Sequence, residues 1–514
     1  MSDPSSPIQA TASDEPSGPR ADTLFGSLTC VLLLAVAQRG LGFVREVLLC
    51  RWLDQDEVGQ WALAFLFLAS GAAIVSLGIQ GSMTRYVEHY RQRGQLRTYL
   101  RRVACTSLLL AIAAALVVGA FRETFSELLF GRGDRQELIV VLAAALGVVV
   151  VHNFLLDFFT ALRLFRVVSA MQFAGGTMFV VLSIAAMLAW RADSLAVAAA
   201  YGAAQLCVVV AAGVIAWRTS RSFAADSSTS THRSFWPHVL RASAALWGYN
   251  CLNNLFEVAD RYMLVHVSGL EAEAALALVG AYHSARVVPS LLATGAMLVA
   301  STLMPHWSHA WESGRRAEIA QRQLVALKLM ALGLFSAGVI VVVAAPLLFD
   351  VAFAGKYRAG QEVLPWVLAA ATWTGLAAVA FNYLWCAERL GLCAATLAVG
   401  VVVNLSLNFA LIPTFGLLGA VLATGVGQFV QLSLVYRLSK AYGMSLDLGL
   451  WLLTAAPATL WLGPWASAAI AAAMVALAIG TDRIFAAAEK QEMIDFATPY
   501  LDRLRLRRRF VAGR

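Results

Sequence analysis

Apolar runs follow one another along nearly the whole chain. About 14 of them between residues 24 and 480 are long enough, or nearly so, to cross about 30 Å of hydrocarbon. The pattern predicts an all-α polytopic membrane protein of about 14 transmembrane helices: two groups of six, then two short runs at 448–462 and 465–480. Those last two are either short spans or one re-entrant pair.

Most runs are apolar all round, but four carry polar stripes. In the seventh, YNCLNNLFEVADRYMLV, Tyr249, Asp260, Asn253, Glu257, Asn250, Arg261 and Asn254 fall within an arc of roughly 140°. In the eighth, VGAYHSARVVPSLLATGAM, Pro289, Tyr282, Arg286, Met297, Ser290, His283 and Thr294 share a similar arc. The first span puts Gln38, Arg39, Gly42, Arg45 and Glu46 on a stripe about 120° wide. The fourth carries His152, Asn153, Asp157, Thr160 and Arg163. A charge at the bilayer centre costs about 2.5 to 3.5 kcal/mol on insertion scales, so such faces turn toward a protein interior or a water-filled cavity. The seventh and eighth spans read as the wall of a polar cavity. Two roles stay open for their charges. Arg39, Arg45, Arg261 and Arg286 are free to bind an anion, or Glu46, Glu257 and Asp260 neutralise them in static pairs such as Glu257 with Arg261 one turn on. Asp157 is either a coupling group or the partner of Asn153 at a helix interface.

Composition agrees with a membrane chain: 60% of the 514 residues are hydrophobic, 14% are charged, and the mean hydropathy is +0.70. Lys and Arg are uneven between the connections. About 18 lie in the even-numbered ones against about 7 in the others, and the segment 85–102 alone holds six arginines. Both termini are therefore expected in the cytoplasm, and the net charge of +8 reads as contact with anionic lipid rather than with nucleic acid. Seven scattered cysteines have no metal-ligand spacing, so no disulfide, metal or cofactor is expected. No loop long enough for a membrane glycosyltransferase, with clustered carboxylates or histidines, is present, so no catalytic residue is assigned.

The two groups of six resemble each other. VGQW at 58 and VGAY at 279 are 221 residues apart, as are Met83 and Met304, and ALRL at 161 and AERL at 387 are 226 apart. These matches suggest a duplicated unit in parallel orientation, with a pseudo-two-fold axis along the membrane normal that brings the first and seventh spans face to face. The expected organisation is a disordered cytoplasmic tail at 1–22 with no cleavable signal peptide, an N-terminal lobe at 23–218 and a Ser/Thr-rich cytoplasmic linker at 219–236. A C-terminal lobe at 237–440, two further helices at 441–483 and a basic cytoplasmic tail at 484–514 complete it.

VREVLLCRWLDQDEVGQWALAF at the first hairpin, ADRYMLVHVSG then VGAYHSARVVPSLL, LMPHW and LNFALIPTFGLLGAVLAT come in an order that resembles the polysaccharide-biosynthesis flippases. These form a branch of the multidrug, oligosaccharidyl-lipid and polysaccharide exporter superfamily, and the resemblance runs from about Leu24 to Lys440. It implies an integral inner-membrane protein that moves an undecaprenyl-pyrophosphate-linked oligosaccharide between leaflets by alternating access, without being an enzyme. A proton or sodium ion would couple the movement. A lipid II flippase and a cation-coupled multidrug antiporter are the alternatives within the superfamily. Residue chemistry fits a diphosphate, which a guanidinium matches with charge and a planar fork. Arg39, Arg45, Arg261 and Arg286 would take the phosphates, and Tyr249, Asn250, Asn253, Tyr282 and His283 the sugar hydroxyls. Glu46, Asp157, Glu257 and Asp260 would couple an ion or pair with the arginines.

Overall fold

A computed structural model of the chain describes residues 24–79, 83–221, 223 and 235–494. The expected tail at 1–22, most of the linker and residues 495–514 of the expected basic tail at 484–514 lie outside them, whereas Ile484, Phe485 and Glu489 of that tail are buried against the bundle. The described residues are helical almost throughout: α1 Leu24–Trp52, α2 Gln55–Val75, α3 Met83–Gln92, α4 Leu96–Ala120, α5 Arg122–Phe130, α6 Gln136–Ala161, α7 Phe165–Ala189 and α8 Ser194–Arg221 form the first half. The second half comprises α9 Phe235–Val267, α10 Ala272–Glu312, α11 Arg316–Pro346, α12 Arg358–Cys386, α13 Leu390–Ala441, α14 Leu448–Ala455 and α15 Pro464–Gly480. Nine helices among the described residues are long and apolar enough to cross a membrane. The longest, α13, is two spans joined at Gly416, whose φ of 53° no helix tolerates, three residues after Pro413. With α13 divided and the charge-bearing α1 and α9 included, each half supplies six spans, and the short α14 and α15 follow.

Alternate spans leave two sets of turns. The end of the bundle near residues 24 and 441 is called the terminal end here, and the other the opposite end. At the terminal end, the segment that opens near Val58 reads in the sequence as one helix to about Tyr86, but α2 stops at Val75 because Leu77 and Gly78 take left-handed φ values of 48° and 68°. A Cβ at Gly78 would come within 2.8 Å of the Ser243 carbonyl oxygen on α9, so the turn passes where only glycine fits. Met83 then opens the separate amphipathic α3, whose Tyr90 stacks on Tyr99 of α4 at 4.7 Å.

The two lobes are pseudo-symmetric, and their contact is reciprocal. At the opposite end α2 crosses α10 backbone to backbone: a Cβ on Gly59 would lie 1.9 Å from the Leu276 carbonyl oxygen, and one on Gly280 1.9 Å from that of Gln55. Both residue pairs are related by the 221-residue offset, so the local two-fold axis runs through this glycine crossing. Around it Arg51 donates to the Val351 carbonyl at 2.9 Å, Lys356 to that of Leu53 at 3.0 Å, and His266 lies 2.9 Å from the Leu128 carbonyl. At the terminal end Trp247 of α9 donates to the Ile74 carbonyl of α2 at 3.2 Å.

The last two helices pack on α11 and α12 of the second lobe. Trp461 stacks on Trp366, and Leu460 fills the notch at Gly338 of α11. Lys328 of α11, fully buried, meets Asp447 at the start of α14 and both carboxylate oxygens of Glu489 at 3.0 and 2.8 Å. A buried ammonium is tolerable only with such partners.

Candidate functional site: a charged network on α1, α9 and α10

The polar faces of α9 and α10 meet because both helices turn their charged arcs inward and their apolar arcs to lipid or to neighbouring helices. Tyr282, fully buried, is the hub. Its hydroxyl donates to Asp260 Oδ2 at 2.7 Å, and two guanidiniums lie over its ring, Arg261 at 5.5 Å and Arg286 at 5.7 Å from the centroid. The same Asp260 oxygen accepts from Thr424 on the second half of α13 at 2.8 Å. Behind Thr424, Asn404 donates to its hydroxyl at 3.2 Å, and Asn408 donates to Asn404 at 3.2 Å. Glu257 pairs with Arg286 at 2.5 Å across the two helices, not with Arg261 on its own helix.

A second knot joins the lobes. Glu46 of α1 holds its neighbour Arg45 and lies 2.9 Å from His283 Nε2 of α10. The Arg45 guanidinium sits over the Phe179 ring of α7 at 4.4 Å. Arg45 and Glu46 are half-buried, so this cross-lobe bridge reaches partly into accessible space.

Of the residues singled out in the sequence, Arg45, Glu46, Glu257, Asp260, Arg261, Tyr282, His283 and Arg286 come together in these two knots. Others do not. Arg39 is exposed on α1, Asn250 and Asn253 are exposed on α9, and half-buried Tyr249 packs beside Phe256 and Leu405. Asp157 of α6 is half-buried with no hydrogen bond or ion pair among the described residues, and nearby His152 keeps its Nε2 buried and unpartnered. Thr424 and Gln428 belong to the site but lie in a stretch rich in Gly, Ala and Thr, where no local charge singles them out.

A cavity of about 170 Å³ opens beside the network, lined among others by Glu257, Tyr282, Arg286, Pro289, Thr424 and Gln428. That is below the roughly 300 Å³ at which sites for drug-sized ligands begin. Three buried polar atoms of the network, Asp260 Oδ1, Arg261 Nε and Arg45 Nε, have no protein partner among the described residues. The site thus holds three arginines against three carboxylates and a histidine. Arg286 and Arg45 are each held by a carboxylate, whereas buried Arg261 makes no ion pair among the described residues. Among the described residues no group of three or more His, Cys, Asp and Glu side chains is placed to hold a metal ion.

Three comparisons bear on this arrangement. The family model described as "Polysaccharide biosynthesis protein" matches residues 27–311, more than half of the chain. No curated relative matches the sequence significantly. Among solved structures, the lipid II flippase MurJ in an inward closed conformation superposes with a TM-score of 0.69 at 10% identity, covering 87% of this chain and 98% of that one. An inward-facing multidrug resistance transporter of the same superfamily gives 0.63 at 14% identity over 79% of this chain and 95% of its own. An outward-facing form of such a transporter gives 0.57 at 13% identity, with 81% and 94% covered. At these identities the likeness is one of fold.

Proposed function

The chain belongs to the polysaccharide biosynthesis protein family, and from that premise we propose that it is a flippase for an undecaprenyl-pyrophosphate-linked oligosaccharide. It sits in the inner membrane with both termini in the cytoplasm and works by alternating access. The observation that carries the reading is the Arg286–Glu257 pair beside Tyr282 and Arg261: an anion-sized cluster of guanidiniums, held in reserve by its own carboxylates, within membrane-spanning helices.

A diphosphate entering the cavity would displace Glu257 from Arg286, exchanging one charge-assisted pair for another of similar strength. That near-balance lets the headgroup be held and then released. His283 and Glu46 would register the event in the other lobe, since their contact spans the lobe boundary. The small cavity and the glycine crossing at the opposite end fit a state closed toward the periplasm. Asp157, without a partner of its own, is the carboxylate best suited to carry a coupling proton. The likeness to a lipid II flippase keeps that substrate as the second reading, because the same diphosphate chemistry would serve it.

The test is transport in proteoliposomes of fluorescent lipid-linked oligosaccharide, of fluorescent lipid II, and of a lipid-linked sugar joined through a single phosphate. Faster flipping of the oligosaccharide diphosphate than of either other lipid is expected. Equal rates for the monophosphate would defeat the arginine–diphosphate reading, and a preference for lipid II would replace the substrate.

A further inference from the structure

A second cavity, of about 530 Å³, lies at the terminal end of the C-terminal lobe, away from the network. Three chain reversals build it: the α10–α11 turn with Trp311, Glu312, Gly314 and Arg316, the α12–α13 turn with Cys386, Ala387, Glu388 and Arg389, and Tyr442 at the end of α13. Arg316 is laid over the Trp311 ring at 5.1 Å and Arg389 over the Tyr442 ring at 5.2 Å. Among the described residues, none of the four charged side chains, Glu312, Arg316, Glu388 and Arg389, makes an ion pair.

The duplicated lobe supplies the control. Its α6–α7 turn has the same backbone bonds, Leu162 to Phe158, Arg163 to Thr160 and Leu164 to Phe159, as Ala387 to Tyr383, Glu388 to Trp385 and Arg389 to Leu384. Arg163 and Glu388 share the left-handed φ, 60° and 56°. The loop at Gly94 likewise repeats that at Gly314. The shared bonds shift the register by one residue from the ALRL–AERL match in the sequence, and in it the counterparts of Glu312, Arg316, Glu388 and Arg389 are Gln92, Leu96, Arg163 and Leu164. The turns form with three of these charges absent and the fourth reversed in sign, so folding the turns does not account for this set.

We propose that this cavity binds the headgroup of an amine-bearing phospholipid, phosphatidylethanolamine. Two guanidiniums fixed on aromatic rings present forks to a phosphate. Two carboxylates accept from a primary ammonium, which has three N–H donors. A choline headgroup lacks those donors, and a glycerol headgroup lacks the cation. Trp311 and Tyr442 suit the water–hydrocarbon boundary. Exposed Trp385 and Leu390 beside the cavity give the acyl chains an apolar track into the bilayer.

Native mass spectrometry of the full chain with equimolar phosphatidylethanolamine, phosphatidylcholine and phosphatidylglycerol tests this. Retention of phosphatidylethanolamine about tenfold above either other lipid is expected. Glu312→Gln with Glu388→Gln should reverse the preference toward phosphatidylglycerol, since two arginines then remain unopposed. Arg316→Gln with Arg389→Gln should abolish retention of both. A misfolded variant would lose every lipid alike, which the reversal separates from a headgroup effect. Equal retention of the three lipids by the parent, or an unchanged preference in the glutamate variant, would overturn the proposal. So would displacement of the lipid by free O-phosphoethanolamine at the same concentration, because the acyl chains are part of what binds.

Discussion

The two lobes repeat one chain path and carry different chemistry. Gly59 and Gly280 play mirrored parts at the crossing, and the α6–α7 and α12–α13 turns share their hydrogen bonds. In the second lobe, however, Asp260, Glu257, Arg261 and Arg286 are organised around Tyr282 and backed by Thr424 and Asn404. In the first, Arg45 pairs with Glu46, which also reaches His283, and Asp157 has no partner among the described residues. Backbone geometry was kept where two helices must touch. Polar side chains differ between the lobes. The proposed division is that the second lobe grips the substrate while the first carries the proton.

The strongest way to break that division is at Arg286. Arg286→Ala should abolish flipping while the protein still inserts, since losing a membrane charge eases insertion by up to about 3 kcal/mol. Arg286→Lys should restore activity only in part, because an ammonium keeps the charge and loses the fork. The measurement is surface glycan in a flippase-deficient strain at matched expression. Full activity of Arg286→Ala would move substrate binding out of the second lobe.

The symmetry itself is tested at the crossing. Gly59→Val and Gly280→Val should act alike, since each puts a Cβ where the partner helix has a carbonyl 1.9 Å away. Neither helix can yield without separating the lobes at that end. Cys50, buried close by at the end of α1, offers a native reporter. In a variant keeping only that cysteine, a membrane-impermeant maleimide should leave the parent unlabelled and modify both valine variants. Labelling of one and not the other would show that the crossing is not two-fold.

A smaller effect is expected from Asp157→Asn. Flipping driven by an imposed proton gradient should fall to the rate seen without one, and the ungraded rate should stay as in the parent. If the gradient still accelerates the asparagine variant, coupling lies elsewhere, and Glu46 beside His283 becomes the better candidate.

The sequence displays some of this arrangement and hides the rest for physical reasons. A charge inside an apolar run is conspicuous because hydrocarbon tolerates few, so α1, α9 and α10 stand out as polar walls. The duplication shows through VGQW and VGAY because their glycines are locked in the crossing. Pairing is less legible. Glu257 and Arg261, one turn apart, suggest each other, but the α9–α10 packing delivers Arg286 instead. The end of α2 is hidden because SLGIQGSM continues the apolar run, while the stop comes from contact with Ser243 of α9. Lys328 is visible as a charge in an apolar run, but its partners are not, since they lie 119 and 161 residues further along the chain.

That buried lysine sets the last and smallest expectation, which concerns stability rather than transport. Lys328 and Glu489 have no counterpart in the first lobe, where no extra helices need fastening. Glu489 accepts from Lys328 with both oxygens and from the Ala486 backbone at 2.9 Å, and the Phe485 ring lies 5.6 Å from the ammonium. Glu489→Gln removes one of two counter-charges but leaves Asp447, so the loss should be about 2 kcal/mol, less than for a fully orphaned buried charge. Truncation from Ile484 removes Glu489, Phe485 and the Glu492 partner of Arg322, and should lower the melting temperature further. Truncation from Tyr500 spares all of these and should change stability by less than about 0.5 kcal/mol. Thermal unfolding in detergent separates the three. If the Tyr500 truncation melts as low as the Ile484 truncation, the residues beyond 500 hold the fold together and the Lys328 cluster is secondary.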